Sequence, residues 1–347
     1  MSINTSLGRA LIAQASGMAV LGWVLLLATY ATMPSAAAQQ AQAAPAVPDD
    51  PILIGALDLH AHLDPDGYGP FNAGRSIDVL DLAELAQAAG MRGFVIKQHY
   101  DQSADSAYLV RKLYPDLEVF GGLGTNFATG GLNPQAVRQM ADVKGGWGRI
   151  VWMPTWDAEH YVRNHGNDRD FIPVARDGAL LPEAKAVIAA VAEVSGKTRV
   201  SEGRVVLATG HNSPEDVLLI VEEARRLGLD VMVTHPMLDS VGMNLEQMKR
   251  AAEMGAYLEV VSGFTRLPEM IEDRTTKIRE IGPEHFVLTS DRGQGRGPEG
   301  DDGPMPNHLE GLVLAAQAFR EHGFTERELE IMLKENPAKL LGLPVLD

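Results

Sequence analysis

"RVVLATGHNSPEDVLLIVEEARRLGLDVMVTH", Arg204 to His235, contains one complete repeat of the fold. It opens on the apolar run RVVLAT, short and rich in valine and leucine, the composition of a strand buried on both faces. Ser213 follows as a helix cap, its hydroxyl able to accept from the unpaired N–H groups of a first turn, and Pro214 suits the first helical position. Val217, Val221 and Ala224 then form one apolar stripe at helical spacing, and Gly228 ends the helix. A second strand, DVMVT, begins directly afterwards. Each strand ends at a histidine, His211 in "LATGH" and His235 in "MVTH".

The same alternation runs along the chain from Ile52. The strand candidates are ILIGALDL, GFVIK, LEVFGGL, GRIVWM, RVVLAT, DVMVT, AYLEVV and HFVLTS, each followed by helical sequence. Buried strands alternating with helices imply a parallel sheet with right-handed crossovers. Eight such units predict an α/β fold, a closed (β/α)8 TIM barrel. An open doubly wound sheet is the alternative, and the first strand lacks the glycine fingerprint of a dinucleotide site. "GGLGTNFATGG" (Gly121 to Gly131) lacks the lysine and hydroxyl of a phosphate loop and reads as a close-approach loop at a strand end. Two segments read as inserts, Thr155 to Gly178 after the fourth strand and Arg292 to Asn307 after the eighth. In "TERELEIML", Thr325 and Glu328 have the spacing of a capping box.

Polar residues collect at the carboxyl ends of the strands, the face on which such barrels carry their chemistry. The first strand ends in "LDLHAHLDP", with His60 and His62 two apart and so on one strand face. The second ends in Lys97 and His99, the fifth in His211, the sixth in His235 and the eighth in Asp291. One such histidine is ordinarily a core residue; several at equivalent ends suggest a metal centre. Asp58, two before His60, is expected on the same face one layer deeper, orienting a ligand imidazole. Glu259 in "YLEVV" faces either the barrel interior or a strand edge. Asn126, Trp156 and His160 sit on loops where they could line a pocket with His99. His165, His285, His308 and His322 are expected to be solvated or structural.

"DLHAH", "TGH", "VTH" and "TSD", in that order and on those strands, resemble the amidohydrolase superfamily of metal-dependent hydrolases. "NPAKLLGL" (Asn336 to Leu343) resembles that superfamily's closing segment, in which a C-terminal helix caps the barrel. "VIKQH", "GGLGTN" and "GGLNP" are similar to a largely uncharacterised branch of it. The resemblance covers nearly the whole chain after the N-terminal segment. It implies His60, His62, His211, His235 and Asp291 as metal ligands, with Asp291 also taking the proton of the attacking water. His211 or His235 could instead polarise the substrate carbonyl. The fourth strand, "IVWMPTW", departs from the family in offering neither the lysine carbamate nor the glutamate that bridges two ions. Lys97 is the nearest lysine at a strand end. It could bridge as a carbamate, hold a substrate carboxylate or phosphate as a cation, or lie at the rim. The cofactor implied is a divalent metal, Zn²⁺ with Mn²⁺ or Co²⁺ as substitutes, one or two ions per chain.

The 347-residue chain is 45% hydrophobic, carries a net charge of −16 and has no cysteine. The acidic balance argues against nucleic acid as partner, and the partner expected is a small-molecule substrate. Without thiolates, a transition metal must be held by histidine, carboxylate or a modified lysine. Residues 1–38 have one charged residue, Arg9, an apolar core and a small-residue ending, as a secretory signal cleaved near Ala38 does. Residues 39–51 read as a flexible linker and 52–347 as the catalytic barrel. The expected location is periplasmic or secreted, with no stable membrane insertion after signal removal. The sequence leaves a homo-oligomer open. Hydrolysis of an amide, ester or related bond is the reading best supported, ahead of a metal-dependent decarboxylase or lyase and of a non-catalytic solute-binding protein.

Overall fold

The computed structural model describes residues 47–67, 75–166, 168–263, 268–293 and 307–346. The expected signal (1–38), most of the expected linker and most of the insert after the eighth strand lie outside them. Eight parallel strands form the barrel: β1 (Leu57–His62), β2 (Gly93–Lys97), β3 (Glu118–Gly124), β4 (Gly148–Trp152), β5 (Val206–Ala208), β6 (Val231–Val233), β7 (Tyr257–Val261) and β8 (Phe286–Thr289). They hydrogen-bond in sequence order. The sheet returns on itself where Ala61 bridges Arg292, with His62 N donating to Arg292 O and Asp291 N to His60 O, both at 2.9 Å. The fold is the expected (β/α)8 barrel, with a helix between successive strands.

Local chemistry explains the elements. Ser213 Oγ accepts from Asp216 N at 3.2 Å and starts the helix Pro214–Arg226, whose Val217, Val221 and Ala224 are fully buried. Thr325 and Glu328 form the expected capping box. The first strand differs from expectation. Gly55 takes a left-handed φ of 77° and breaks the run ILIGALDL. Pro51–Leu53 is a 3₁₀ turn capped by Asp50, and the strand starts at Leu57 and runs through both histidines. Asp50 is also gripped by Arg320 at 2.7 and 3.0 Å, which ties the chain to the barrel two residues ahead of the expected start. The third strand holds the expected Gly121–Leu123 and runs one residue further, to Gly124. A Cβ on Gly122 would lie 2.3 Å from the Trp152 ring of the neighbouring strand, so only glycine lets that ring cross β3.

Two apolar layers hold the barrel. The outer one packs helices against the strands. The inner one fills the barrel below the histidines with Leu57, Leu59, Phe120, Ile150, Trp152 and Val287, among others. The closing helix Asn336–Leu341 seals its lower end: Ala338, Leu340 and Leu341 join that inner layer. Asn336 fixes the helix by donating from Nδ2 to Phe286 O (2.7 Å) and Glu284 O (3.0 Å) at the root of β8. The expected C-terminal cap is thus in place, at the face opposite the histidines. Among the described residues no helix is long and apolar enough to cross a membrane.

Leu340→Ala should lower unfolding free energy by about 2–5 kcal/mol, the usual cost of emptying a fully buried leucine site. Urea titration checks this, and a change near zero would show that the closing helix is not part of the barrel core.

Candidate metal centre

Strand β1 carries a register shift between Asp58 and Ala61 against β2. This bulge changes the alternation of side chains: Leu57 and Leu59 fill the barrel interior, Ala61 packs outside it, and His60 and His62 both reach the top of the barrel. Asp58 is consequently out of phase with His60. Its Oδ1 accepts the backbone N–H groups of His60 (3.1 Å) and Ser290 (3.0 Å), pinning β1 to the end of β8. It orients no imidazole, which corrects the role expected for it. Burial raises its pKa to about 7.

The orienting carboxylate is Glu259, at the centre of β7 and fully buried. His60 Nδ1 donates to its Oε1 at 2.7 Å, Thr289 Oγ1 donates to the same oxygen at 2.9 Å, and His235 N donates to Oε2 at 2.9 Å. With its proton on Nδ1, His60 turns a bare Nε2 toward Asp291 Oδ1 at 3.1 Å and His62 Nε2 at 3.2 Å. His62 Nε2 is likewise 3.1 Å from Asp291 Oδ1.

With Asp291 ionised and both imidazoles neutral, no arrangement of protons satisfies these three atoms. A proton on His62 Nε2 leaves the His60 nitrogen and the carboxylate oxygen facing each other as two acceptors. A proton on His62 Nδ1 is no better, because that atom is buried without a partner. One cation at the centre satisfies all three. The edges of 3.1–3.2 Å match the roughly 3.3 Å between ligands of a tetrahedral ion bound at ~2.0–2.1 Å. Among the described residues this is the one group of three His, Asp or Glu donors close enough to share an ion. Burial pushes His60 to about 3 and His62 well below the usual imidazole range, so both stay neutral, the form that binds metal. Burial also raises Asp291, against the pull of His60 and Lys97.

Backbone strain marks the same place. Asp291 has φ of 46° and His235 of 21°, positive values that L-residues rarely adopt and that cost roughly 1–3 kcal/mol each. A Cβ on Gly293 would lie 1.7 Å from His62 O, so the chain after Asp291 passes against β1 only as glycine.

The other predicted residues surround the triad. The His235 ring stacks 6.0 Å from His60, and its Nδ1 lies 3.2 Å from Ser240 Oγ. His211 is 4.9 Å from His235 between ring centroids, and neither of its nitrogens has a partner. His99 stacks between His62 (4.8 Å) and Trp156 (4.2 Å), with Nδ1 bonded to Thr155 Oγ1 and Nε2 unpartnered. Lys97 pairs with His62 across β1 and β2 and is 1% exposed, so it is no rim lysine. Burial lowers its pKa to about 8, and among the described residues it makes no ion pair. Asn126 lies beside the site, but its amide is used within the protein. Nδ2 donates to His99 O and Thr155 Oγ1, and Oδ1 accepts Thr155 N. It builds the loop that carries His99 and Thr155 instead of facing a ligand. His160 bonds Asn164 on its own short helix. His308 is fully buried behind the site, beside Gly293.

Sequence reasoning ranked Glu259 too low and passed over Thr155, Tyr161 and Arg75. The signal for Glu259 was available: an acid at the centre of an otherwise apolar strand in a parallel barrel must face something that compensates its charge.

Comparison with known proteins agrees with this architecture. Residues 55–259 match the model described as Family of unknown function (DUF6282). No curated protein matches the sequence. Among solved structures, one described as molecular engineering of organophosphate hydrolysis activity from a weak promiscuous lactonase template is similar at TM-score 0.55 and 18% identity, over 84% of this chain and 97% of that one. The organophosphorus hydrolase from Deinococcus radiodurans is similar at TM-score 0.55 and 17% identity, over 84% of this chain and 94% of its own.

Glu259→Ala should lower metal affinity by roughly 10–100-fold, because His60 then loses the partner that fixes its tautomer. Asp58→Asn keeps an oxygen for both backbone donors and should change affinity far less. Competition against a chromogenic chelator measures both, and the reverse order would exchange their roles.

Proposed function

The chain is a member of the DUF6282 family of unknown function, and on its converging donor triad we propose that it is a metal-dependent hydrolase of an amide, ester or related bond in a small molecule. The observation that carries this reading is the convergence of His60 Nε2, His62 Nε2 and Asp291 Oδ1 at 3.1–3.2 Å, which one cation at their centre would satisfy. The shared fold of an organophosphorus hydrolase and of an organophosphate-hydrolysing derivative of a lactonase supports hydrolysis over decarboxylation and over non-catalytic solute binding. A divalent ion held by these residues would lower the pKa of water toward ~7 and polarise a carbonyl or phosphoryl oxygen.

The residues divide the remaining work. His60, His62 and Asp291 hold the ion, which all-nitrogen and oxygen ligands suit to Zn²⁺, with Mn²⁺ or Co²⁺ as substitutes. The single donor triad supports one ion per chain. Asp291, with 13% of its side chain exposed, is the member of the triad that water can reach. Its carboxylate takes the proton of the attacking water and returns it to the leaving group. His211, His235 and His99 face the substrate with neutral rings, and Trp156 closes over His99. With one ion there is no second metal for a carbamate to bridge, so Lys97 serves as an amine and as a cation toward the substrate. We also propose export to the periplasm or medium, on the signal-like sequence of residues 1–38; mass analysis of exported protein should find a chain beginning near Gln39, and retention of Met1 would count against it.

Chelation should abolish turnover of ester or amide test substrates, and Zn²⁺, Mn²⁺ or Co²⁺ should restore it. Asp291→Asn should keep its fold and most of its metal yet lose kcat by several orders of magnitude, since an amide cannot take a proton at neutral pH. Full activity in exhaustively demetallated protein would end the mechanism. Lys97→Ala should keep its metal and mainly raise KM. Loss of metal from that variant would instead assign Lys97 as a bridging carbamate.

A further inference from the structure

Arg75 belongs to the connection between β1 and the following helix, Val79–Ala88. Its side chain is 3% exposed, and that of its partner Asp66 is 2%. Nη2 of the guanidinium is ion-paired with Asp66 Oδ2, and Asp66 is held in turn by Gly67 N at 2.8 Å. The other amino group, Nη1, is buried and has no hydrogen-bond partner among the described residues. A buried guanidinium N–H without an acceptor is costly, and more so than a neutral donor because it carries charge. The pair lies at the end of β2, beside the metal centre: Asp66 Oδ2, the oxygen that holds Arg75, is 3.4 Å from the backbone N of His99, two residues after Lys97, and the His99 ring stacks on His62. Arg75 and Lys97 therefore stand together on the β1–β2 side, while the triad lies between β1 and β8.

The charges around the site do not balance once it is loaded. Arg75, Lys97 and Arg292 stand against Asp66, Glu259 and Asp291, three of each sign. A divalent ion adds two positive charges. Even with Asp58 counted as ionised, the site loaded with an ion and neutral water keeps one surplus positive charge. A neutral carbonyl oxygen could accept from Nη1, but it would leave that surplus in place. An oxyanion meets both requirements, and the guanidinium is the side chain best shaped to bind one.

We infer that the substrate carries a carboxylate or phosphate group apart from the bond that is attacked, and that Arg75 Nη1 and Lys97 bind that group. The inference rests on the hydrolase reading for which site the substrate enters, and it narrows the substrate class to small anionic esters or amides.

Calorimetric titration of the metal-loaded protein with benzoate and with inorganic phosphate tests it without requiring turnover. Arg75→Gln removes the cation but leaves Asp66 buried without its partner. The double variant Asp66→Asn/Arg75→Gln replaces the ion pair by a neutral amide pair, which guards against misfolding. Wild-type protein should bind at least one probe, and both variants should bind it at least tenfold more weakly at wild-type metal content. Direct binding to the ion is common to all three proteins and cancels in the comparison. Preference for benzoate or phosphate identifies the group. Wild-type protein that binds neither probe, or variants that bind as tightly as wild type, would overturn the inference. Absence of metal-dependent turnover would remove the hydrolase reading while leaving the titration result standing, so the two failures are distinguishable.

Discussion

The Glu259 carboxylate is the contact on which the upper barrel depends. It takes the His60 ring from β1, the Thr289 hydroxyl from β8 and the backbone of His235 after β6, and it sits itself on β7. Four strands are thereby fixed to one buried anion. A buried carboxylate is expensive unless every lone pair is met, and burial raises the pKa of this one. Three strong donors on two oxygens meet that demand. The same bonds place the proton of His60 on Nδ1 and free its Nε2, so the group that holds the strands together also sets the tautomer of a ligand.

Much of this was legible in the sequence. The barrel followed from eight apolar runs alternating with capped helices, and Ser213, Thr325 and Gly228 behaved as their local chemistry requires. The histidines were legible because each ends a strand. What failed was phase. Asp58 and His60 share a face only on a regular strand, and the bulge between Asp58 and Ala61 shifts one against the other. A bulge leaves little trace in composition, so the acid two residues away looked like the better partner and the acid 199 residues away was undervalued. Asn126 failed for another reason. A polar residue after a strand either faces a ligand or braces a loop, and only the positions of Thr155 and His99 decide it. Arg75 carried no pattern at all, since its burial depends on how the loop after β1 folds back.

The site is built almost wholly from groups held away from their ordinary protonation state by burial. Burial lowers the pKa of the imidazoles and of Lys97 and raises that of the carboxylates, in each case favouring the neutral form. Such a cluster is at odds with itself without a bound cation, and its strained φ values at Asp291 and His235 add to the cost. The apolar layer of Trp152, Phe120 and Ile150 beneath it, together with the closing helix, provides the stability that lets the upper layer remain unfavourable on its own terms.

The closing helix has a consequence for access. With Ala338, Leu340 and Leu341 filling the lower end, the barrel is closed below the histidines. A molecule that reaches the histidines therefore has no way out through the barrel floor. Arrival and departure are both confined to the side of the barrel that carries the histidines. Access to them is set at the rim, where Trp156 stacks on His99 and Tyr161, on the helix Glu159–Asn164, lies 5.1 Å from His211 between ring centroids.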